Sequence, residues 1–318
     1  MGAIVLGWHN LLITKTARLS VKRSQFHCEQ DGQALTIPLE DIASITLECL
    51  KTTLTGSLLS QLAANNILML TCDEQHHPNG LLLPICQHSR QLSVLKLQIE
   101  ISKPFKKRLW QKVVCQKIIN QAGVLSWQKV AGVNRLFHLA KSVNSGDQSN
   151  CEATAARLYF SSLFTDFKRH DDGYINAALN YGYSVVRAAI ARELTAFGLH
   201  PALGIHHTNE LNSFNLADDL IEPFRAIMDS WAIGIIGLTS ADGAVTTDFG
   251  ELLGLSKDDR ASLTQVLQLQ VRIQDENHTL QSAVRLCVKS LVSAFKNKEI
   301  ELLKLPEPLF PPALKALS

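Results

Sequence analysis

The sequence predicts an α+β protein, with a small β-rich N-terminal domain followed by a larger all-helical C-terminal domain. Two observations lead to this fold class. Short segments of alternating polar and apolar residues, typical of strands, fill the first part of the chain, whereas from Gln91 onwards apolar residues recur at helical spacing. The turn residues HHPNG at 76–80 mark the change. We therefore assign the N-terminal domain to 1–80, a linker to 81–92 and the helical domain to 93–318.

The N-terminal domain is predicted to contain short strands and one helix. Strand segments lie at 13–21, 25–28, 34–38, 42–47 and 67–72, and an amphipathic helix lies at 55–65. The dipeptide Asp31-Gly32 lies between two such segments and indicates a hairpin turn. The Cys, Asp and two His residues between positions 72 and 77 lack the second half of a zinc pattern, so we assign them to a loop.

Helices are predicted throughout the rest of the chain. Their segments are 92–101, 105–122, 124–141, 153–164, 174–197, 215–238, 262–271 and 279–295. Gly182 lies between two tyrosines inside one of them, where glycine costs roughly 1 kcal/mol relative to alanine. We therefore expect a close approach to its backbone, from a packed helix or from a ligand. Pro223 lies inside another, so that helix is either kinked there or restarted just before it.

The composition is that of a soluble globular protein. The 318 residues are 46% hydrophobic and 19% charged, and a net charge of +2 predicts no polyanion partner from the chain average. Seven cysteines without a Cys-x-x-Cys pair are typical of a reducing cytoplasm, so we expect a cytoplasmic protein. The start, MGAIVLGWHN, lacks the features of a targeting peptide. The longest apolar run, WAIGIIGL from Trp231, is too short to span a bilayer, so we expect no membrane role.

Positive charge is concentrated in one part of the chain. Between Ile101 and Cys151 there are nine basic residues and one acid, Asp147, a local balance of +8. Concentrated positive charge on one face is a feature to which a phosphate backbone responds. A solvated helix face explains the same charges equally well.

One segment combines histidines with a helix that carries acids. Asp218, Asp219 and Glu222 lie off the apolar stripe of this helix at spacings of three and four residues, so their carboxylates share a face. His206 or His207, just upstream, adds an imidazole. Carboxylate oxygens together with an imidazole suit magnesium or manganese better than a metal that prefers thiolates.

Helix capping is the alternative interpretation of these acids. Asn215 followed by Asp218 is close to a capping box, and the helix dipole alone favours acids in a first turn. On the residues alone, capping explains Asp218 best, while Asp219 and Glu222 fit capping and metal binding about evenly. Glu152 begins another predicted helix, and the dipole explains it more readily than a site does.

Signatures of several other enzyme classes are missing from the sequence. It contains no phosphate-binding glycine-rich loop, no Gly-x-Ser-x-Gly and no His-Glu-x-x-His, which disfavours nucleotide binding, serine hydrolysis and zinc proteolysis. A separate glutamate, a histidine in a loop, a helix with acids at i and i+3, and a basic stretch together fit metal-assisted chemistry at a phosphodiester.

These residues lie in segments that resemble a known family. The segments are CEATAARLYF at 151–160, DDGYINAALNYGYSVV at 171–186, LGIHHTNELNSFNLADDLIEPFR at 203–225 and the strand-rich start with TLTGSLLSQLAANNILMLTCDE. They are similar to the CRISPR-associated adaptation integrases, the "Cas one" endonuclease/integrase family, in its type II branch. The resemblance covers the chain from residue 1 to about 230 and is loose beyond Trp231.

The resemblance implies a set of site residues. The metal-binding catalytic residues fall on Glu152, His207 and Glu222, with Asp219 one turn earlier and with Asp218 and His206 nearby. The bound ion would be magnesium or manganese. Basic residues on the helical domain would hold duplex DNA by its phosphates, and the candidates are Lys103, Lys106, Lys107, Arg108, Lys112 and Arg157, with Lys117 at the end of the same stretch.

The resemblance also implies partners and a reaction. The protein would form a homodimer through its N-terminal domain, and two dimers would flank a dimer of the small partner "Cas two" in a heterohexamer. The type II effector nuclease is a further expected partner. The expected reaction is antiviral spacer acquisition, in which a prespacer DNA is inserted into the repeat array by attack of a 3′-hydroxyl on a phosphodiester. The alternatives are a metal-dependent nuclease that acts on branched or single-stranded DNA without integration, and a DNA-binding scaffold without activity.

Overall fold

The computed structural model describes residues 9–84, 88–164, 167–169, 173–236 and 254–310. Part of the predicted linker and the last two residues of the helix predicted at 215–238 lie outside these ranges. The N-terminal strands are β1 (His9–Ile13), β2 (Arg18–Lys22), β3 (Gln25–Gln30), β4 (Gln33–Pro38), β5 (Ile42–Leu47), β6 (Thr53–Leu54), β7 (Leu68–Cys72) and β8 (Pro78–Leu82). Helix α1 (Gly56–Ala64) lies between β6 and β7, and the hydroxyl of Thr55 caps its N-terminus.

Two four-stranded sheets form the N-terminal region. In the first, of order β1-β5-β7-β8, the first three strands are parallel and β8 is antiparallel. In the second, of order β4-β3-β2-β6, β2, β3 and β4 are antiparallel neighbours and β6 is parallel to β2. The predicted hairpin turn is confirmed, since Asp31 and Gly32 join β3 to β4 with φ angles of 51° and 75°.

Strand β7 takes part in two hydrophobic cores, because successive side chains of a strand point to opposite faces. Met69 packs into the core of the N-terminal region with residues of both sheets and of α1. Leu68 and Leu70 belong instead to the core built by the helices. The first sheet therefore lies directly against the helical region.

The helical region contains eight described helices. They are α2 (Gln91–Glu100), α3 (Lys103–Trp127), α4 (Val133–Ser142), α5 (Cys151–Leu163), α6 (Tyr174–Ala196), α7 (Asn215–Ile236), α8 (Lys257–Thr264) and α9 (Leu280–Asn297). A short 3₁₀ turn at Gln265–Gln268 follows α8, so the helix predicted at 262–271 ends earlier than expected. Helix α7 is continuous through Pro223 and is not restarted there.

The predicted boundary between the helices at 105–122 and 124–141, which falls at Gly123, is wrong. Helix α3 runs through this glycine to Trp127, and the break falls at Gly132, whose φ of 106° does not fit a helix. The ring of Phe310 lies 3.2 Å from the position that a Cβ atom would occupy at Gly123. Gly123 therefore permits close packing within the helix instead of ending it.

The C-terminal region also contains a small sheet that the helical periodicity did not predict. Strands β9 (Gln270–Ile273), β10 (Glu276–Thr279) and β11 (Glu307–Pro308) form three antiparallel strands in the order β10-β9-β11. The α+β fold class is confirmed, but the second domain is mostly helical and not entirely so. The sequence signal for β9 is the alternation of polar and apolar residues, QVRI, of which Val271 and Ile273 are buried.

Helix α7 is central to the helical region. It packs along both α3 and α6, and α5 packs on α3. The apolar stripe predicted for α7 is fully buried at Leu216, Leu220 and Phe224. This packing brings the acidic residues of α7 next to α3 and α5. Of the helices that the structure describes, none combines the length and apolar character that crossing a membrane demands.

A buried ion pair connects the N-terminal region to α8. Glu48, which follows β5, is 3% exposed and accepts two hydrogen bonds from Arg260, at 2.5 Å from Nε and 2.9 Å from Nη2. The hydroxyl of Tyr181 on α6 donates to the same carboxylate at 3.4 Å. Breaking one partner of such a pair leaves the other charge buried without compensation.

We expect Arg260→Met to lower the free energy of unfolding by about 3–5 kcal/mol, because Glu48 would lose its buried cation. Lys15→Met is a suitable control, since it breaks the exposed pair with Asp31 and should change stability by less than about 1 kcal/mol. Urea unfolding of both variants measures the difference. Equal losses in the two variants would contradict the role of the buried pair.

Candidate active site

Three helices bring two carboxylates to one lysine. Glu152 lies in the first turn of α5 and Glu222 in the middle of α7, and both reach Lys117 of α3. The Lys117 Nζ atom is 2.7 Å from Glu152 Oε1 and 2.5 Å from Glu222 Oε2. Arg225, three residues after Glu222, contacts the other oxygen of that glutamate at 2.8 Å. The helix packing therefore creates a compact cluster of two acids and two cations.

Burial and charge act in opposite directions on this cluster. Burial alone would raise the pKa of Glu222, but the charges of Lys117 and Arg225 outweigh it and lower the pKa to about 2. Burial likewise favours the neutral form of Lys117, yet Glu222 and Glu152 hold its pKa above the ordinary value. The Glu222 carboxylate and the Lys117 ammonium are therefore charged at neutral pH.

Asp147 fixes the start of α5 and hence the position of Glu152. Its two carboxylate oxygens accept hydrogen bonds from the backbone N–H groups of Cys151 and Glu152, each at 2.9 Å. This leaves the Glu152 side chain free to reach Lys117 although the residue lies in a first helical turn. Asp147 already places a negative charge at the N-terminus of α5. The helix dipole therefore does not by itself explain why Glu152 is there.

Asp219 anchors the histidine loop to α7. Its carboxylate is fully buried and accepts backbone N–H groups from Ile205 at 2.5 Å and from His206 and His207 at 3.0 Å. It also bonds His207 Nδ1 at 2.8 Å. Gly204 permits the tight loop, since a Cβ atom there would overlap with the carbonyl oxygen of His207. All four contacts together make Asp219 the fixed point of this loop.

The two adjacent histidines have different surroundings. The ring of His206 stacks on that of the buried Trp110, with centroids 4.2 Å apart and planes 2° apart. His207 lies edge-on to the same tryptophan. The hydrogen bond with Asp219 raises the pKa of His207 above its ordinary value, against the effect of partial burial. A carboxylate on Nδ1 is the arrangement by which proteins orient an imidazole whose Nε2 is a ligand.

Asp218 pairs with an arginine and does not take part in the capping box that the sequence favours. Arg187 of α6 contacts its two carboxylate oxygens at 2.5 and 3.0 Å, and Asn212 donates to it. Asn215 does not form a capping box with Asp218, because its side-chain oxygen accepts from Asn209 N at 3.2 Å. Asp218 therefore ties α7 to α6 and to the preceding loop.

The donor types of the cluster suit a divalent cation. Glu152 and Glu222 already converge on one cation, the Lys117 ammonium, and carboxylate oxygens are ligands that magnesium and manganese prefer. Within the described ranges, no three His, Cys, Asp or Glu side chains come close enough together to hold a metal ion. In this structure, the ammonium thus lies where the two predicted carboxylate ligands meet, and His207 stands apart from them.

A cavity of about 680 Å³ opens beside the two carboxylates. Besides Lys117, Glu152, Glu222 and Arg225, its wall includes four residues that the sequence analysis did not single out as functional: Gln121, Arg169, Tyr183 and Asp229. The side chain of Arg169 is held by Asn176 and Asn180 at 2.9 and 2.7 Å. The Asn-Tyr-Gly-Tyr block on α6 is the sequence signal for this wall, since it supplies Asn180 and Tyr183.

Asp229 is a buried acid at the base of this wall. It is 1% exposed and accepts a short hydrogen bond from the Tyr183 hydroxyl. Burial raises its pKa to about 6, although the hydroxyls of Tyr183 and Tyr159 and the charges of Arg169 and Arg225 partly oppose this. Arg225 lies over the Tyr183 ring at 4.6 Å from its centroid. The cavity therefore has a polar wall whose charged groups contact one another and neighbouring side chains.

The close approach predicted at Gly182 comes from packing. A Cβ atom at this position would overlap with the Met228 side chain of α7, so the glycine lets α6 and α7 approach each other. Both alternatives were open from the sequence, and helix packing is the one that the structure contains.

The predicted DNA-binding residues fall into two groups. Lys103, Lys107, Arg108 and Arg157 are exposed on α3 and α5. Lys106 donates to the carbonyl oxygen of Gly204, and Lys112 donates to those of Ile300 and Glu301, each at 3.1 Å. Lys117 is buried at 7% exposure. The prediction that Lys117 contacts DNA at the protein surface is therefore wrong.

The chain is similar to proteins of one family over most of its length. The family described as "CRISPR associated protein Cas1" matches residues 11–268. A "CRISPR-associated endonuclease Cas1" from Neisseria meningitidis serogroup C (strain 8013) is 44% identical over 302 residues, which cover 94% of this chain and 96% of that protein. A "CRISPR-associated endonuclease Cas1 1" from Francisella tularensis subsp. novicida (strain U112) is 25% identical and covers 59% and 66%.

Solved structures share the fold. A CAS1 protein from Thermotoga maritima has a TM-score of 0.71 at 17% identity, covering 96% of this chain and 99% of that one. A casposase bound to an integration product has a TM-score of 0.70 at 20% identity, covering 91% of both chains. A Cas6-RT-Cas1–Cas2 complex contains a chain with a TM-score of 0.69 at 19% identity, of which 37% is covered. At these identities the likeness concerns the fold.

We expect Gly204→Ala to lower the free energy of unfolding by about 1–3 kcal/mol, because the added methyl group would displace the His207 carbonyl and strain the loop. Gly56→Ala is the control, since no heavy atom lies within 4 Å of its Cβ position. It should be neutral or slightly stabilising. Chemical unfolding of both variants tests this, and equal effects would contradict the tight packing at Gly204.

We expect Asp229 to favour folding as the pH falls. Its pKa rises from 3.8 to about 6 in the folded protein, so the folded state takes up the proton first. Between about pH 7.5 and pH 5, the free energy of unfolding of the wild-type protein should rise by about 1.4 kcal/mol relative to that of Asp229→Asn. Urea unfolding of the two proteins at both pH values measures the change. A difference independent of pH would contradict the raised pKa.

Proposed function

Since this chain belongs to the CRISPR-associated protein Cas1 family, we propose that it is a metal-dependent DNA integrase and endonuclease of CRISPR adaptation. It would insert a short foreign DNA, the prespacer, into a repeat array. The observation that carries this proposal is the convergence of Glu152 and Glu222 from separate helices on a single cation beside a polar cavity. Such an acidic pair is a place where a protein can hold a divalent ion.

Glu152, His207 and Glu222 are the proposed ligands of magnesium or manganese. Asp219 orients His207 through Nδ1, which leaves Nε2 as the ligand atom and favours His207 over His206. His206 instead stacks flat on Trp110. A divalent ion held there would stabilise the negative charge that develops on the oxygens of a phosphodiester during transfer.

The remaining residues of the cavity would position DNA. The reaction attaches a terminal 3′-hydroxyl of the prespacer to a phosphorus of the repeat and releases the strand beyond it, so one ester replaces another and no ATP is required. Arg169 and Asn180 line the cavity, and a guanidinium held by two amides offers its remaining N–H groups to a phosphate in a fixed orientation. Positioning of this kind contributes much of the rate in phosphoryl transfer.

Duplex DNA would be held outside the cavity by exposed basic residues. Lys103, Lys107 and Arg108 lie at the start of α3, and Arg157 lies on α5, which packs on α3. Contacts from such residues go to phosphates and carry no sequence information themselves. Lys106 and Lys112 are also proposed here, although their ammonium groups are partly engaged by carbonyl oxygens.

The proposed assembly is a homodimer built through the N-terminal region, with two dimers on either side of a dimer of Cas2 in a heterohexamer. The support is the family membership together with the fold shared with a chain of a Cas6-RT-Cas1–Cas2 complex. The effector nuclease of type II systems is a further proposed partner. DNA in the cytoplasm would be the substrate.

A nuclease without strand joining is the second candidate function. The relatives that the chain resembles are named endonucleases, and the same acidic pair would serve hydrolysis with water as the attacking group. It would act on branched or single-stranded DNA. The two functions differ in whether a DNA end or water takes the place of the released strand.

We expect purified protein with Cas2 to join a labelled duplex to a supercoiled plasmid that carries a leader and repeat, with manganese and not with EDTA. His207→Ala and Glu222→Gln should reduce joining by about a hundredfold or more, because each removes a metal ligand. Glu210→Gln is the matched control, as it changes an exposed glutamate of the same loop. His206→Ala should retain activity and so distinguishes the two histidines.

Each result of this assay has one meaning. Joined product that depends on His207 and Glu222 supports the integrase. Nicking without joined product would favour the nuclease instead. Joining or nicking that is unaffected by manganese, EDTA and both substitutions would contradict both functions at the proposed site. DNA binding with neither joining nor nicking would leave a scaffold role.

A further inference from the structure

Lys117 has surroundings unlike those of the other lysines in the basic stretch. Its ammonium is buried and contacts both of the carboxylates that we propose as metal ligands. The formal charges of Glu152 and Glu222 are balanced by those of Lys117 and Arg225, so the four formal charges sum to zero. The cluster is therefore electrically balanced without a metal ion.

We propose that Lys117 is an internal counter-ion, which holds the two carboxylates together in the metal-free protein and moves towards Gln121 when a divalent cation binds. This inference rests on the proposed function, because it takes Glu152 and Glu222 as metal ligands. The physical reason is repulsion. A divalent ion bound by both carboxylates would lie within a few ångströms of the ammonium, and like charges repel strongly in a buried site.

Gln121 provides the second position for the ammonium. It lies one turn after Lys117 on α3, so the two side chains share a helix face, and both line the same cavity. The Gln121 Oε1 atom is buried and has no hydrogen-bond partner among the described residues. A buried acceptor without a donor is costly, and a flexible lysine chain that turns towards it would satisfy it.

The displacement makes metal binding a competition. In the metal-free state the lysine offsets the repulsion between the buried Glu222 carboxylate and the half-buried Glu152 carboxylate. In the metal-bound state its departure removes one positive charge from the site, and the ion takes over the role of counter-ion. The wild-type protein therefore binds a divalent ion less tightly than a protein in which the lysine charge is absent.

We test this with Lys117→Met, which keeps the length of the side chain and removes its charge. Calorimetric titration with manganese chloride alone should give a dissociation constant at least about tenfold lower than in the wild-type protein. In EDTA the melting temperature of the variant should fall by about 5 °C or more, and manganese should restore most of it. An equal or higher dissociation constant in Lys117→Met would overturn the proposal.

Lys112→Met is the matched control. It removes a partly buried lysine of the same helix whose ammonium contacts two carbonyl oxygens and, among the described residues, no carboxylate. Its manganese affinity should equal that of the wild-type protein. An affinity gain in this variant as large as that in Lys117→Met would overturn the proposal, since a general loss of positive charge would then explain both.

Folding of Lys117→Met is itself informative. A variant that folds only with manganese supports the proposal, because the ion then replaces the ammonium. A variant that stays unfolded with manganese contradicts it. Gln121→Met leaves the cluster intact and should weaken manganese binding about threefold or more, because the displaced ammonium loses its acceptor. Unchanged affinity in Gln121→Met would overturn the movement towards Gln121.

Failure of this inference can be told apart from failure of the proposed function. Manganese that does not bind the wild-type protein, or that binds Glu222→Gln equally well, would contradict the proposed metal site. Manganese that binds the wild-type protein and needs Glu222, but binds no more tightly to Lys117→Met, would contradict the counter-ion alone. Strand joining is not needed for either decision.

Discussion

Two ionised carboxylates from neighbouring helices can meet in a partly buried site when positive charge lies between them. Glu152 and Glu222 come from α5 and α7, and the contact of both with Lys117 of α3 fixes how these three helices meet. Arg225 adds the second cation that Glu222 requires. The apolar stripe of α7 supplies the driving force for packing, but the charged cluster restricts which arrangement of helices is allowed.

Helix α7 connects this cluster with the histidine loop. Asp219 lies one turn before Glu222 on the same helix, and its carboxylate holds the backbone and the ring of His207. A shift of α7 along its axis would therefore move Glu222 away from Lys117 and the loop away from Asp219 at the same time. The acids at i and i+3 thus have different tasks, one towards the cation and one towards the loop.

Sequence patterns predicted the features that depend on neighbouring residues in the chain. The hairpin at Asp31-Gly32 and the buried stripe of α7 follow from turn chemistry and periodicity, and the structure contains both. The boundary predicted at Gly123 is wrong, since α3 continues through this glycine and Phe310, far away in the chain, packs on it. Lys117 looked like one basic residue among nine, since its partners lie on two other helices. Contacts between distant segments carry no signal in either segment alone, and the family resemblance supplied the site residues that spacing left open.

Because β7 belongs to two hydrophobic cores, the N-terminal sheets and the helical region cannot change or be exchanged independently of each other. Met69 faces one core and Leu68 and Leu70 face the other, so a mutation in this one strand changes the stability of both parts of the protein. A fragment that ends after β8 would present Leu68 and Leu70 to water and would tend to aggregate. The N-terminal sheets are therefore not a transferable module, and recombination between relatives is tolerated only where the strand and the helices beneath it are inherited together.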